Sequence, residues 1–333
     1  MTSEVLIVGQ GLAGTVLAWE LERAGIACVI ADAGHEQAAS RVAAGVLNPV
    51  TGQRIVKGWR VDTLLPLARD AYRAMEKELG LPLWRDVRVR RLYLDDRERT
   101  VLAEKQARGV LGDYIGGADE EGFWIEGAGH LDLPALLIAA RARWKAAGVL
   151  REERVDFAQA LNEHELVIDC TGASGGAFGF VPWAFSKGQI LHLDVQGLQP
   201  DVVLNRGYWL LPVGERGAKA GATHEPARTD VVPTPDGRAE LAKGVNGMNP
   251  GPYTITAHEA GVRAYLADKR PAVGRHPANP RLGVLNGLGA KGTLFAPALA
   301  QQWVRHLVEG IPFEAELDVA RYWRSHATAR RSH

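Results

Sequence analysis

An α/β fold in two lobes, one built around a parallel sheet and the other around an antiparallel sheet, is what this sequence predicts, and three observations predict it. The chain opens on an apolar run, a glycine turn and a helical pattern, Glu4-Val5-Leu6-Ile7-Val8 leading into Gly9-Gln10-Gly11-Leu12-Ala13-Gly14. Its second apolar run, Ala27-Cys28-Val29-Ile30-Ala31, ends on Asp32. Its 333 residues exceed what one hydrophobic core usually serves, so two lobes sharing a cleft are expected.

The opening unit reads as strand, phosphate turn and helix. Gly9 permits the tight turn, Gly11 lets the backbone approach a pyrophosphate, and Gly14 lets the helix pack closely on the strand, with the helix N-terminus facing the anion. Gly25 stops the helix, and Asp32, about 20 residues beyond the glycines, can accept hydrogen bonds from both ribose hydroxyls. This is the pattern of an adenine-dinucleotide site. After Asp32 a nicotinamide enzyme would turn into another helix and strand, whereas this chain runs through Ala38-Ala39-Ser40-Arg41-Val42-Ala43-Ala44-Gly45-Val46-Leu47-Asn48-Pro49. Such small residues let backbone lie close to a ligand.

Further along, Asp62 to Leu79 carries apolar residues at helical spacing, with Gly80 as a stop. Val87 to Leu94 is strand-like and opens the second lobe, followed by a charged helix from Asp95 to Arg108. Asp132-Leu133-Pro134 starts a helix running through Trp144 towards Gly148, with Asp132 as its cap. Arg154-Val155-Asp156-Phe157 and Leu166-Val167-Ile168-Asp169 read as strands of the nucleotide lobe. From Gly188 to Thr223 short β segments alternate with turns, as in an antiparallel sheet that floors a cavity. The chain then returns to the first lobe through a strand, Leu282 to Leu285, and a helix, Thr293 to Val308.

With those elements in place, the sequence resembles the D-amino-acid oxidase superfamily of FAD-dependent enzymes, which includes glycine oxidase and sarcosine oxidase. The likeness rests on Ala43 to Pro49, Val167 to Ala173, Lys187-Gly188-Gln189-Ile190, Tyr208 to Pro212 with Ala220 to Thr223, Gly261-Val262-Arg263 leading to Asp268, Pro271 and Gly274, and Asn286 to Pro297. It is closest in pattern to the oxidase domain of the bifunctional tRNA wobble-uridine modification enzymes, with glycine oxidase next through Gly274-Arg275-His276-Pro277. The resemblance implies a Rossmann-like, glutathione-reductase-type FAD-binding domain and an α+β substrate domain built on the antiparallel sheet. Residues 1–84, 129–186 and 259–333 are expected in the first, and 85–128 and 187–258 in the second. It also implies cofactor contacts from Gly9, Gly11, Leu12, Ala13 and Gly14, from Asp32 and Ala33, and from Arg41 and Ala43, Ala44, Gly45, Val46, Leu47 and Asn48. Further contacts are expected from Val155, from Thr171 and Gly172, and from Gly289, Ala290, Lys291, Gly292 and Thr293.

Five residues are candidates for a role in the site. In the family, the arginine after a glycine and an apolar residue binds the substrate carboxylate, which assigns Arg263; an ion pair with Asp268 or Glu259 is the other reading. Lys291, at the turn into the last helix, could support negative charge on the flavin's pyrimidine edge or be a surface lysine. Tyr208 and Trp209 lie on the sheet floor, and strand alternation puts one of them towards the cavity. His224 reads as pocket lining or as a structural histidine.

The expected activity is transfer of a hydride from the carbon next to an amine to FAD, giving an imine, with oxygen or a quinone as electron acceptor. The expected substrate is a small amino acid or N-substituted glycine. Two alternatives are an oxidase acting on a carboxymethylamino group of a modified tRNA uridine, and a flavin-binding protein without catalysis. Lys plus Arg and Asp plus Glu both number 39, and the resulting zero net charge argues against a surface that works by phosphate neutralisation. The basic stretch Arg321 to Arg331 reads as a solvated tail. Cys28 and Cys170 sit in apolar runs, which suggests buried thiols and non-covalent FAD. No metal-ligand spacing is seen. With no run of roughly 18 apolar residues, and no signal peptide because the first strand uses the early apolar run, a cytoplasmic location is expected.

Overall fold

The computed structural model describes residues 5–34, 38–175 and 177–323. A six-stranded sheet carries, in spatial order, Ala272–His276, Asn279–Asn286, Leu166–Asp169, Val5–Val8, Cys28–Ala31 and Leu150–Arg151. All its pairs are parallel except the edge hairpin of Ala272–His276 with Asn279–Asn286. Val5 to Val8 are buried on both faces, as expected of a central strand in a parallel sheet. One face packs on helices Leu12–Arg23 and Gly292–Glu309 through Ile7, Val16, Leu17, Trp19, Leu299 and Trp303.

A larger, ten-stranded sheet forms the second layer. Its longest strands, Trp183–Val195 and Tyr253–Leu266, pair antiparallel over most of their length, and Gly217–Gly221 and Tyr208–Val213 extend the sheet on the other side. One pair departs from the antiparallel expectation, because Val202–Arg206 runs parallel to Trp84–Leu92. Side chains alternate across this sheet. Leu191 and Leu193 point to the face covered by helix Pro235–Asn246, with Leu241 and Val245, while Ser186, Gly188 and Ile190 point to the face turned towards the first sheet.

The expected helices form close to their expected limits: Val61–Leu79, Asp96–Ala107, Leu133–Ala146 and Gly292–Glu309. Gly80 is left-handed at the end of the first, and Asp95 and Asp132 cap the next two through the backbone N–H groups of Glu98 and Ala135. The strand expected at Arg154 to Phe157 does not form. The Asp156 carboxylate instead accepts from Ala158 N at 2.8 Å and caps helix Phe157–Glu163, and the neighbour of Cys28–Ala31 is the short strand Leu150–Arg151. Gly122–Leu131, Trp183–Val195 and Tyr253–Leu266 run unbroken through residues 128, 186 and 258. We therefore keep the two-lobe division as a proposal whose seam lies within these strands. Of the basic tail, Arg324 to Arg331 lie outside the described residues.

Candidate active site

The glycine turn has the geometry its sequence demands. Gly9 takes φ 101°, and a Cβ there would stand 2.8 Å from the Cys170 carbonyl oxygen. A Cβ on Gly14 would stand 1.9 Å from the Gly9 oxygen, so strand and helix meet only because that position is bare. The helix beginning at Leu12 has no capping side chain apart from the Ser40 hydroxyl, which accepts from Leu12 N at 3.1 Å, and no acid in its first turn. That leaves a positive end suited to a diphosphate.

Asp32, buried at the end of the second strand, accepts from Gln10 N at 2.7 Å and Gly34 N at 2.9 Å. A residue that the sequence reading missed joins it. Arg141 donates to Asp32 Oδ1 at 3.0 Å and to Gln10 Oε1 at 2.9 Å, and also bonds Glu152 at 2.8 Å. These contacts hold the carboxylate in one orientation. Ala33 is exposed beside it, and Val155 packs near the same strand ends with Val8, Ala31 and Val167. Thr171 bonds the buried Asp169 carboxylate through both N and Oγ1, and Asn286 Nδ2 donates to Gly172 O at 3.0 Å, which shapes the turn after the central strand. Burial pushes the Asp169 carboxyl above its usual range.

Segments far apart in sequence meet next to this turn. Arg41 lies in the helical turn Ala39–Val42, and beyond it Ala43 and Ala44 lead to Gly45 at φ 72°, where a Cβ would stand 2.0 Å from Leu131 O. Val46–Leu47 then pairs with Gly129–His130. A cavity of about 240 Å3 is lined by Val46, Leu47, Asn48, Ala290, Lys291 and Thr293, among others, so the two stretches expected at the flavin share one space. Gly289–Lys291 forms a tight turn into Gly292–Glu309, whose first turn holds no acid. Lys291 pairs with no carboxylate among the described residues, and burial lowers its pKa. A larger cavity, about 650 Å3, lies elsewhere, against Glu20, Arg23, Trp59, Phe295 and Arg305.

His130, next to this segment, was also missed. It is buried and accepts from Arg85 Nε at 3.4 Å, and it bonds the Ala44 backbone. Burial, with Arg85 and Lys219 nearby, pulls its pKa down to about 4. It is a neutral prop for the Ala43 to Leu47 stretch.

The sheet face towards the first lobe carries the remaining candidates. Trp209 pairs in register with Gly221 and packs in the cluster that includes Ala44 and Val46. Tyr208 points the other way: its hydroxyl donates to Glu240 at 2.7 Å, and its ring fills the space over Gly244 on helix Pro235–Asn246. Alternation thus puts Trp209 on the cofactor side and Tyr208 on the outer side, against a pocket role for Tyr208. Arg263 lies opposite Ser186, on the face where a Cβ on Gly261 would meet Ala39 and Val42. Its guanidinium lies over Gly188, where a Cβ would stand 2.1 Å from Nη2. The acids that could have neutralised it are engaged elsewhere. Asp268 bonds Tyr322 and Arg321, and Glu259 bonds His192. Arg263 therefore forms no ion pair among the described residues, and burial lowers its pKa.

Both cysteines are free; burial pushes the Cys28 thiol up to about 12 and raises that of Cys170, which makes each a poor nucleophile. Among the described residues, no group of three or more His, Cys, Asp and Glu side chains could hold a metal ion, and no helix is long and apolar enough to cross a membrane.

Comparison with known proteins agrees with this geometry. The chain is 32% identical over 331 residues to the tRNA 5-methylaminomethyl-2-thiouridine biosynthesis bifunctional protein MnmC of Maricaulis maris, an alignment covering 94% of this chain and 53% of that protein. It thus spans about half the length of the MnmC relatives it matches. It is 25% identical to the glycine oxidase of Bacillus licheniformis, over 94% of this chain and 95% of that one. Its fold superposes on the crystal structure of glycine oxidase from Geobacillus kaustophilus with a TM-score of 0.80 at 22% identity, covering 96% and 97% of the two chains. Residues 4–305 match the DAO family, described as FAD dependent oxidoreductase, and the bare glycine turn at an uncapped helix start fits a dinucleotide cofactor, so this chain belongs to that family of FAD-dependent oxidoreductases.

Proposed function

We propose that this enzyme oxidises the C–N bond next to the carboxylate of a small amino acid or an N-substituted glycine. One observation carries the reading: Arg263 is a partly buried guanidinium without an ion-pair partner among the described residues, seated on a bare glycine floor and facing the cofactor side. A buried cation without a partner is costly unless a ligand anion completes it, and a planar fork suits a carboxylate. FAD would be held at its diphosphate by the Gly9 to Gly14 turn, at its ribose by Asp32, and along its ring by Ala43 to Asn48 and Gly289 to Thr293. When bound, it supplies the hydride acceptor. Arg263 then fixes the carboxylate so that the adjacent C–H bond is oriented, Trp209 walls the space, and a neutral amine needs no general base. The imine formed takes up water in solution. Lys291, partly buried and without a carboxylate partner among the described residues, supports negative charge at the cofactor's pyrimidine edge. We place the reaction in the cytoplasm, with oxygen or a quinone as final acceptor and FAD held without a covalent bond.

The similarity to MnmC favours a second reading, in which the amine is a carboxymethylamino group on a modified tRNA uridine. That group is itself an N-substituted glycine, so Arg263 would serve both substrates. Anaerobic mixing of the yellow holoenzyme with glycine, sarcosine, other N-alkylglycines and carboxymethylamino-modified tRNA separates the readings. Bleaching by the free amino acids at millimolar concentration supports the first, and bleaching by the tRNA alone supports the second. Bleaching by none of them would leave a protein that binds flavin without catalysis.

A further inference from the structure

Another polar group shares the sheet face with Arg263. Ser186 Oγ and His224 Nδ1 lie 2.8 Å apart. Ser186 is the direct cross-strand partner of Arg263. On the opposite edge of the same strand, Lys187 pairs with Glu225 and Ser186 with Pro226, which sets His224 level with Gly188 and on its face. The Arg263 guanidinium lies over Gly188, so His224 stands one strand spacing, roughly 4.8 Å, from the strand beneath that cation.

The Ser186 contact bears on which ring nitrogen is offered. The serine hydroxyl has one hydrogen and two candidate acceptors, His224 Nδ1 at 2.8 Å and its neighbour's carbonyl, Lys187 O, at 3.4 Å. With the hydroxyl donating across the shorter contact, the ring proton is on Nε2. His224 makes no other hydrogen bond among the described residues and is exposed, while Ser186 is buried. A buried hydroxyl thus orients an imidazole whose N–H donor is turned outward, next to a guanidinium that lacks a counter-ion.

We infer that His224, oriented by Ser186, is a second ligand of the substrate carboxylate. Arg263 takes two of its lone pairs in a fork, and His224 Nε2–H donates to a third. The inference rests on the reading that Arg263 binds a carboxylate. Ser186 is a positioning residue, acting only through the imidazole.

The probe is acetate, a carboxylate with no oxidisable amine, titrated into the FAD-loaded enzyme and followed by the perturbation of the flavin spectrum. If acetate perturbs wild type and Arg263→Ala abolishes the effect, the parent reading stands, and the variants at His224 test this inference alone. His224→Phe, which keeps the bulk and removes the donor, is expected to weaken acetate binding roughly tenfold. Ser186→Ala should weaken it about threefold, because the imidazole keeps its donor and loses its orientation. His224→Gln, with an amide N–H at a similar reach, should recover most of the loss, which a merely structural role would not do. KM for the amine should rise in step with the acetate dissociation constant. Acetate binding equal to wild type in His224→Phe, or equal losses in His224→Phe and His224→Gln, overturns the inference and leaves Arg263 untouched. Acetate binding that survives Arg263→Ala overturns the parent reading instead.

Discussion

Asp32 accepts hydrogen bonds from Gln10, Gly34 and Arg141, so its carboxylate is oriented as well as buried. Asp32→Ala is expected to cost about 1.5–3 kcal/mol of FAD affinity, the loss of hydrogen bonds to a charged acceptor. FAD retention equal to wild type after dialysis would remove Asp32 from the ribose site. His130 gives a prediction in pH. Its folded pKa is depressed to about 4, below the ordinary histidine value, so the unfolded chain takes up a proton first as pH falls. Stability should therefore decline between about pH 6.5 and pH 4, by something on the order of 3 kcal/mol from this residue. His258 and His276, both also lowered, act in the same direction, while Glu20 and Asp169, both raised, oppose it. Denaturant midpoints measured across that range should show a shallower slope in His130→Gln, and an unchanged slope would refute the assignment. Asp32 was legible because an acid closes a strand at a fixed distance from the glycines. Arg141 and the Ser186–His224 pair were not. They join residues 109 and 38 positions apart, and such pairings leave no local pattern.

The elements were legible where one periodicity or one cap dominates, as in Val61–Leu79 and Leu133–Ala146. They were misread where two signals compete. Val155 and Phe157 alternate with charged residues as a strand would, but Asp156 satisfies two backbone N–H groups at a helix start, and the cap prevails. Tyr253–Leu266 was not recognised because its apolar alternation is short: Tyr253 and Ile255 pack on the core, and an irregularity opposite His192 and Leu193 then breaks the period, although the strand carries Arg263. Backbone demands at the flavin segment can be tested at this scale by two alanines. Gly45→Ala meets both a left-handed φ of 72° and a carbonyl oxygen 2.0 Å from the new Cβ. Gly172→Ala meets a φ of 63° with open space around it. The second should cost only about 1–2 kcal/mol of stability. The first should cost more and lower the FAD content, because Val46–Leu47 must shift off its partner strand. Equal thermal midpoints and equal FAD content in the two variants would contradict the proposed role of this turn.

For the whole molecule, Val46 to Asn48 and the turn Ala290 to Thr293 line one cavity, and Leu12, at the start of the helix after the glycine turn, packs beside Gly292. The first layer was legible from its opening residues. The seam between the lobes was less so, because long strands pass through it without a break in composition. The purified protein is expected to be yellow and to release FAD on denaturation; a preparation that takes up NAD instead would contradict the cofactor assignment. The most direct test of the central claim is the anaerobic reduction of bound flavin by a carboxylate-bearing amine in wild type, Arg263→Lys and Arg263→Ala. Arg263→Ala should lose on the order of 3 kcal/mol in binding or turnover and Arg263→Lys roughly half that, because lysine keeps the charge and loses the planar fork. FAD content should be equal in all three. Equal activity of wild type and Arg263→Ala on that amine, or a preference of wild type for amines without a carboxylate, would contradict the account.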